Sequence, residues 1–200
     1  GYFDLAKSTR DPRLAKRATE AALFAKMNPL SLDAARLWFE LDKNSKQARQ
    51  ALTNALVGSN KLQEAKPHLQ QLIAAESNPP MALLQLNNAL ARHQDKAAVL
   101  TLVQEVAKGY AQAPEAHFAV AQAAVGAGRL DLASSEIGEA LRLKPDWEPA
   151  HLFNAQLIQQ RESPAKAAEY LAGAVEKNPK AKDLRLYYAR ALVNAKRLPE

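Results

Sequence analysis

The chain of 200 residues contains no cysteine. A disulfide framework, a thiolate nucleophile and a metal site with cysteine ligands are therefore excluded. Aromatic residues make up only 6% of the chain, and the sequence lacks the run of about 18 apolar residues that a membrane-spanning helix needs. Its seven glycines and eleven prolines are too few for a flexible linker.

What the sequence does contain is mainly alanine and leucine, within a hydrophobic fraction of 48% and a charged fraction of 24%. Small apolar side chains let helices approach each other closely, so this composition indicates closely packed helices. The same fractions leave enough apolar surface to bury, which argues against intrinsic disorder.

The formal net charge of +6 is concentrated toward the N-terminus, where the chain carries a basic stripe of Lys7, Arg10, Arg13, Lys16 and Arg17. A nucleic-acid site would need such residues grouped with aromatic side chains for stacking. Acidic residues interrupt the basic stripe and few aromatics lie near it, so the pattern favours a solvated helix face. Binding of nucleic acid or of an anionic surface is kept as an alternative function.

Two segments, 114–147 and 148–181, match each other position by position, as the pair Ala133 and Ala167 illustrates. The sequence period is therefore 34, and self-similarity of this kind indicates a series of stacked units rather than one globular core. Within each segment the apolar residues recur at helical spacing and are interrupted once by a turn. Each segment is therefore predicted to form a pair of helices.

The same pattern divides the remaining chain less regularly, and it predicts about eleven helices and no strands. The units are a half repeat at 1–11, repeats at about 12–44, 45–77, 78–113, 114–147 and 148–181, and a half repeat at 182–200. Unit 78–113 is longer than the regular units and is expected to break the period, so its register stays open. Because both ends divide a repeat, we expect the chain to be a piece of a longer protein.

The repeat resembles the tetratricopeptide repeat, which places small residues at helix-crossing positions and a proline near the end of each unit. The residues that match this pattern in the two regular units are Ala121, Ala133, Ala140 and Pro145, and then Ala155, Ala167, Ala174 and Pro179. Histidine, alanine and isoleucine replace the family's aromatic residues. The resemblance implies an all-α fold, a right-handed solenoid of helix hairpins, that acts as a non-catalytic scaffold for a protein or peptide partner.

The opening of the chain, residues 2–26 and 32–52, is also similar to repeat-containing lipoproteins of Gram-negative outer membranes. Members of that group act as periplasmic scaffolds. The similarity implies a location in the periplasm or an anchor in the outer membrane, with a signal peptide and a lipid-anchoring cysteine before residue 1. A cytoplasmic location is the alternative, and so is a role as the regulatory module of a larger protein.

The tetratricopeptide family usually binds its partners in a groove on the inner faces of the first helices. The resemblance implies that ten residues of this chain line such a groove. These predicted groove residues are Gln50, Asn54, Phe118, Gln122, Val125, Leu152, Gln156, Gln159, Leu186 and Arg190. The lining is rich in amides, which can both donate hydrogen bonds to a peptide backbone and accept them from it. Some family members hold a C-terminal carboxylate in a clamp, which is not reproduced here because Glu20 and Pro79 occupy clamp positions.

No catalytic residue, metal site or cofactor is predicted. His117 and His151 occupy the same position in successive repeats, so they should lie one repeat apart and pack as structural residues instead of sharing a metal ion. Glu136 and Glu139 are expected to face solvent beside Arg142 as an ion-pair network.

Four residues are predicted to pack in the interior. Ala133 and Ala167 are expected at helix crossings, where only a small side chain fits. Trp38 lies on an apolar stripe and is expected in the core. Trp147, at the junction of the two regular repeats, is expected to pack between them and not to serve as an exposed binding residue.

Overall fold

The computed structural model of the protein describes residues 1–195, except for the side chain of Asn28. Residues 196–200, where the sequence predicts a turn, lie outside the described range. The described chain forms twelve α-helices, one short 3₁₀ helix and no strand, so the all-α prediction is confirmed with one helix more than the expected number. The α-helices are α1 (Tyr2–Thr9), α2 (Pro12–Phe24), α3 (Asn28–Leu41), α4 (Lys46–Gly58), α5 (Leu62–Ala74), α6 (Pro79–Leu90), α7 (Lys96–Ala107), α8 (Pro114–Gly126), α9 (Leu130–Leu143), α10 (Glu148–Arg161), α11 (Pro164–Lys177) and α12 (Lys182–Asn194).

The helices begin at a constant spacing along the chain. The second helices of the hairpins, α3, α5, α7, α9 and α11, begin at positions 28, 62, 96, 130 and 164, which is one full period from each to the next. The first helices follow the same rule, and only α6 departs from it, by one residue. Unit 78–113, which was expected to break the period, therefore keeps it. The period is difficult to recognise in the sequence of this unit, because Ala111 stands where the regular units have proline.

Short polar side chains fix where several helices begin. Oδ1 of Asp11 accepts a hydrogen bond from the backbone N–H of Arg13 at 2.8 Å, and Oγ of Ser45 accepts one from that of Ala48 at 3.1 Å. These bonds satisfy N–H groups that have no partner within the helix. Prolines begin or nearly begin several further helices, where their missing N–H costs little.

The turn inside the hairpin uses the left-handed backbone region in three hairpins. Lys26, Asn60 and Gly128 have φ angles of 55°, 58° and 71°, and their positions differ by one period and by two periods. Glycine adopts this region without a steric cost, whereas a side chain with a Cβ pays one. The turn conformation thus repeats with the sequence period.

The chain comprises two compact units, Gly1–Ala82 and Leu83–Glu200. Within each unit most helices pack against the next helix along the chain: α1 to α5 do so in the first unit, and α7 to α12 in the second. The core of the first unit includes a cluster that joins α1 to α4, made of Ala6, Ala15, Leu37, Trp38 and Ala48. The core of the second includes a cluster on α10, α11 and α12, made of Ala155, Ala168, Leu171, Ala174, Leu184, Ala191 and Leu192. The prediction of one continuous array stays a prediction.

The four residues predicted to pack in the interior do so. Ala133 and Ala167 are 0% and 2% exposed, and Trp38 is 6% exposed. The ring of Trp147 is partly buried and lies 5.0 Å from that of Phe118 on α8, so it packs against the preceding repeat. Buried alanine at these positions is the residue type that close packing of α9 on α8 and of α11 on α10 requires.

Candidate functional site

A cavity of about 710 Å³ lies between two first helices of the first unit, α2 and α4. Two predicted groove residues on α4, Gln50 and Asn54, line it. Nε2 of Gln50 donates to Oδ1 of Asn54 at 3.0 Å, which leaves the Gln50 oxygen and the Asn54 nitrogen available to a ligand. Trp38 and Leu23 add apolar surface to the lining. The lining of this groove is therefore polar along α4 and apolar at Leu23 and Trp38.

The sequence placed Glu20 of α2 at a clamp position, but the predicted groove residues did not include the α2 side. Lys16 and Glu20 both line the cavity, and each stands one period before a predicted groove residue, Gln50 or Asn54. The repeat period, continued back from α4, would have found them. Nζ of Lys16 lies 5.8 Å from the ring centroid of Trp38, which places a cation beside the apolar surface.

In the second unit, three predicted groove residues lie together around a smaller cavity of about 130 Å³. Gln156 and Gln159 on α10 and Arg190 on α12 line it. Tyr187 completes this lining: its hydroxyl accepts a hydrogen bond from Nε2 of Gln156 at 3.3 Å, and the Arg190 guanidinium lies 6.0 Å from its ring centroid. Tyr187 was not among the predicted residues, because the groove positions were carried over one by one from the family pattern.

The predicted groove residues on α8 are less open. Phe118 is only 8% exposed, and its ring packs 5.0 Å from Trp147 and 5.2 Å from Phe153. Phe118 is therefore covered by its neighbours and presents little surface to a ligand. Gln122 is partly buried, and its Oε1 accepts a hydrogen bond from Nδ2 of Asn87 on α6 at 3.2 Å.

The three remaining predicted groove residues differ in exposure. Val125 is partly buried on α8. Leu152 is also partly buried and packs against the core cluster of α10 to α12. Leu186 on α12 is 51% exposed and is the most accessible apolar side chain of the predicted set.

His117, near the start of α8, joins three parts of its hairpin. Its Nε2 lies 2.9 Å from the carbonyl oxygen of Ala111, before α8, and its Nδ1 lies 2.7 Å from Oε2 of Glu136 on α9. Both partners are acceptors, so both contacts are hydrogen bonds only when both ring nitrogens carry a proton. His117 therefore links the loop before α8, α8 itself and α9.

His151 makes the same pair of contacts one repeat further along the chain. Its Nε2 lies 2.8 Å from the carbonyl oxygen of Pro145, and its Nδ1 lies 2.6 Å from the hydroxyl of Tyr170 on α11. Here the neutral ring suffices, because the phenol can donate to Nδ1. Burial raises the pKa of Tyr170, against a smaller lowering by a hydrogen bond with Asn154, so the phenol keeps its proton.

Arg49 holds the place of these histidines in the first unit. It donates from Nη2 to the carbonyl oxygen of Lys43 at 3.3 Å. Its guanidinium lies 4.8 Å from the ring centroid of Phe39, and the ring of His68 meets that of Phe39 edge-on at 5.0 Å. Burial, and secondarily the charge of Arg49, lowers the pKa of His68 from its ordinary value of 6.5. His68 is thus held in its neutral form.

One of the two glutamates on α9 does not face solvent as expected. Glu139 pairs with Arg142 at 2.8 Å on the helix surface, as predicted. Glu136 instead turns toward His117, and its side chain is only 23% exposed. Residues three apart on a helix differ in direction by about 60°, which here is enough to place one carboxylate at the packed face and the other outside it.

Comparison with known proteins gives no match to any protein-family model. The TPR repeat-containing protein PA4667 of Pseudomonas aeruginosa is 24% identical over 188 residues, which are 94% of this chain and 32% of that protein. The crystal structure of YrrB, described as a TPR protein with an unusual peptide-binding site, has a TM-score of 0.52 at 18% identity, covering 95% of this chain and 98% of that chain. The chain has the tetratricopeptide-repeat fold.

A second solved structure agrees. TTC0263, a TPR protein of Thermus thermophilus, has a TM-score of 0.52 at 18% identity, covering 92% of this chain and 100% of that chain. The predicted resemblance and fold class are therefore confirmed. The chain spans about a third, 32%, of the length of the curated relative that it matches.

Two further properties of this tetratricopeptide-repeat chain concern possible ligands. No three of its described histidine, aspartate and glutamate residues are grouped so that they could hold a metal ion. None of the described helices combines the length and the apolar character that crossing a bilayer requires.

In the basic stripe, three of the five side chains are near carboxylates. Arg10 pairs with Glu40 at 2.7 Å, Arg13 with Asp11 at 2.8 Å, and Nζ of Lys16 lies 3.9 Å from Oε1 of Glu20. These contacts reduce the positive charge available to a phosphate backbone. The geometry of the basic stripe is that of a solvated, ion-paired surface.

Proposed function

We propose that this chain is a non-catalytic scaffold that binds an extended segment of a partner protein along the first helices of its hairpins. The observation that carries the proposal is the cavity of about 710 Å³ between α2 and α4. Its volume lies within the range of about 300–1,000 Å³ that is usual for ligand sites, and apolar surface with a few polar groups is the usual lining.

The chemistry of this groove specifies what the partner segment should contain. Leu23 is 45% exposed beside Trp38, so an apolar side chain of the partner can bury surface there. The free oxygen of Gln50 and the free nitrogen of Asn54 can bond to the partner backbone. The partner segment is therefore extended, with an apolar residue close to the backbone groups that bond to these two amides.

In the second unit, the cavity bordered by Gln156, Gln159 and Arg190 supports the same function on a smaller scale. At about 130 Å³ it can take a single small side chain of a partner. Arg190 supplies a cation, and the Gln159 amide supplies both a donor and an acceptor. YrrB, which has the same fold, is described as having a peptide-binding site, and this supports peptide recognition here.

The test begins with peptides selected on the chain from a random phage-displayed library. The affinity of each synthetic peptide is then measured by fluorescence anisotropy for the native chain and for the double variant Gln50→Ala and Asn54→Ala. The matched control replaces two exposed amides of a second helix, Gln70→Ala and Gln71→Ala on α5. We expect at least a tenfold loss in the groove variant and no change in the control. Loss in the control alone would show that partners use the other side of the hairpins.

Binding of nucleic acid or of an anionic surface through the basic stripe is the alternative, and it predicts a different response to salt. Contacts to phosphates weaken steeply as salt rises, by about a thousandfold or more between roughly 50 and 200 mM when six or more are made. Groove binding through amides and apolar contacts should change little. Anisotropy titrations of a labelled oligonucleotide and of the selected peptide at both salt concentrations separate the two functions.

The location in the periplasm or at the outer membrane, with the cytoplasm as the alternative, stays a prediction of the resemblance. So does the role as a regulatory module of a larger protein. Both are compatible with a scaffold that works through its grooves.

A further inference from the structure

A second cavity, of about 220 Å³, lies within the second unit, away from the groove residues. It is bordered by the end of α7, the 3₁₀ helix Lys108–Tyr110, the start of α8, and Glu136 on α9. Ala107, Ala116 and Val120 form its apolar wall. His117 and Glu136, the linked pair described above, form its polar wall.

The cavity has a clear origin in the sequence. The residues that stand at the position of Ala107 in the other repeats, counted in steps of one period, are all larger: Leu5, Phe39, Ile73, Leu141 and Val175. Ala107 is 6% exposed, so its small side chain faces the interior of the unit. The side chain at this position is larger in every other repeat, so the small, buried side chain of Ala107 leaves space beside it.

The first unit shows what this kind of space accommodates. There the position of Ala107 is held by Phe39, whose ring contacts the two residues that correspond to His117 and Glu136. Those residues are Arg49, at 4.8 Å, and His68, at 5.0 Å. An aromatic ring therefore fits against this pair of positions within the same protein.

The groups around the cavity also suit a ring from outside. A cavity of about 150 Å³ is large enough to bind benzene, so 220 Å³ admits an aromatic side chain. His117, when it carries both protons, can lie against a ring face as a cation. The oxygen of Glu136 that does not bond to His117 can accept from a phenol hydroxyl.

We propose that this cavity is a binding site for an aromatic side chain of a partner polypeptide, with tyrosine as the best fit. The partner's ring takes the place that Phe39 occupies in the first unit and Leu141 in the following repeat. The residues of α7, α8 and α9 that line this site are not among the proposed groove residues, so the site is separate from the proposed groove and does not depend on it.

The test uses 4-methylphenol, the tyrosine side chain as a free molecule, and NMR spectra of the chain. We expect the Ala107 methyl signal and the His117 ring signals to shift as the probe is added, and the dissociation constant to follow from the titration. Ala107→Leu places in the cavity the residue found one period later, and it should weaken probe binding at least tenfold. Ala107→Val fills less space and should weaken it to a smaller extent.

The converse variant is Leu141→Ala, which removes the corresponding residue in the next repeat. It should create a second probe site, which the ring signals of His151 would report. A second probe, 4-methylcyclohexanol, has a similar size without an aromatic ring, and we expect it to bind less tightly than 4-methylphenol.

Three results would overturn the proposal. The first is that the native chain shows no shift at Ala107 or His117. The second is that the variant Ala107→Val, shown to be folded by its circular dichroism spectrum, binds the probe as tightly as the native chain. The third is that 4-methylcyclohexanol binds as tightly as 4-methylphenol, because the site would then be a general apolar cavity and not one for aromatic rings.

Discussion

Two substitutions on α9, close together in sequence, should change stability in opposite directions although both add carbon atoms. Ala133 is 0% exposed, at the crossing of α8 and α9. Gly138 is exposed, and a Cβ built on it would have no neighbouring atom within 4 Å. We therefore expect Ala133→Leu to overpack the interface and Gly138→Ala to fit without contact.

The magnitudes follow from what each added group meets. Overpacking a closely packed core usually costs about 1–3 kcal/mol, and Ala133 has no free space around it. Replacing a mid-helix glycine by alanine removes backbone freedom from the unfolded chain, and it should raise the free energy of unfolding by about 0.5–1 kcal/mol. The two variants should thus differ by about 1.5–4 kcal/mol.

Urea unfolding followed by circular dichroism measures this difference directly. For a chain of this size, about 1 kcal/mol corresponds to about 2–4 °C in the melting temperature, so thermal unfolding gives a second estimate. Gly173→Ala on α11 is the matched control, because its added Cβ also has no neighbour within 4 Å. If Gly138→Ala destabilised the protein as much as Ala133→Leu, the packing of α9 against α8 would be wrongly described.

Two further predictions concern single positions. Because the folded-state pKa of His68 is lowered from 6.5, protonation favours the unfolded chain. The native protein should therefore lose stability as the pH falls below about 6.5, and the variant His68→Gln should lose less. Urea unfolding at pH 7.5 and 5.5 would measure both losses. An identical loss in both would contradict this reasoning. Gly128 has a φ of 71°, so Gly128→Ala should lower the free energy of unfolding by about 1 kcal/mol. Gly126→Ala, where an added Cβ meets nothing within 4 Å, should not lower it. Equal midpoints of the two variants in thermal unfolding would refute the difference.

The helices and their pairing could be predicted because each depends on local signals that repeat. The caps at Asp11 and Ser45 and the turn at Gly128 act within a few residues, so they can be recognised without knowing the fold. The burial of the small residues Ala133 and Ala167 could be predicted from these local signals together with the repeat period. Composition and spacing therefore sufficed for the fold class.

The groove was predicted only in part, because exposure depends on what neighbouring hairpins place against each position. Phe118 and Leu152 hold the same position in successive repeats, yet Phe118 is covered by Trp147 and Phe153 while Leu152 is only partly buried. Trp147 comes from the loop that follows, and nothing in the pattern of α8 itself reveals that it covers Phe118. A family position indicates where a side chain lies on its helix, not whether it remains accessible.

The correction at Glu136 and the further site have one physical source, which is the contact between a first helix and the second helix of its own hairpin. At that contact the chain uses Arg49 with His68, His117 with Glu136, and His151 with Tyr170. The two histidine pairs link their helices directly, whereas Arg49 and His68 both contact the ring of Phe39. The pairs also fill the space differently, because a carboxylate reaches the histidine with less volume than a phenol. Comparison of the repeats with one another therefore reveals more than comparison with the family pattern. It indicates where a contact between helices is kept with smaller side chains, which leaves a cavity that a partner side chain can fill.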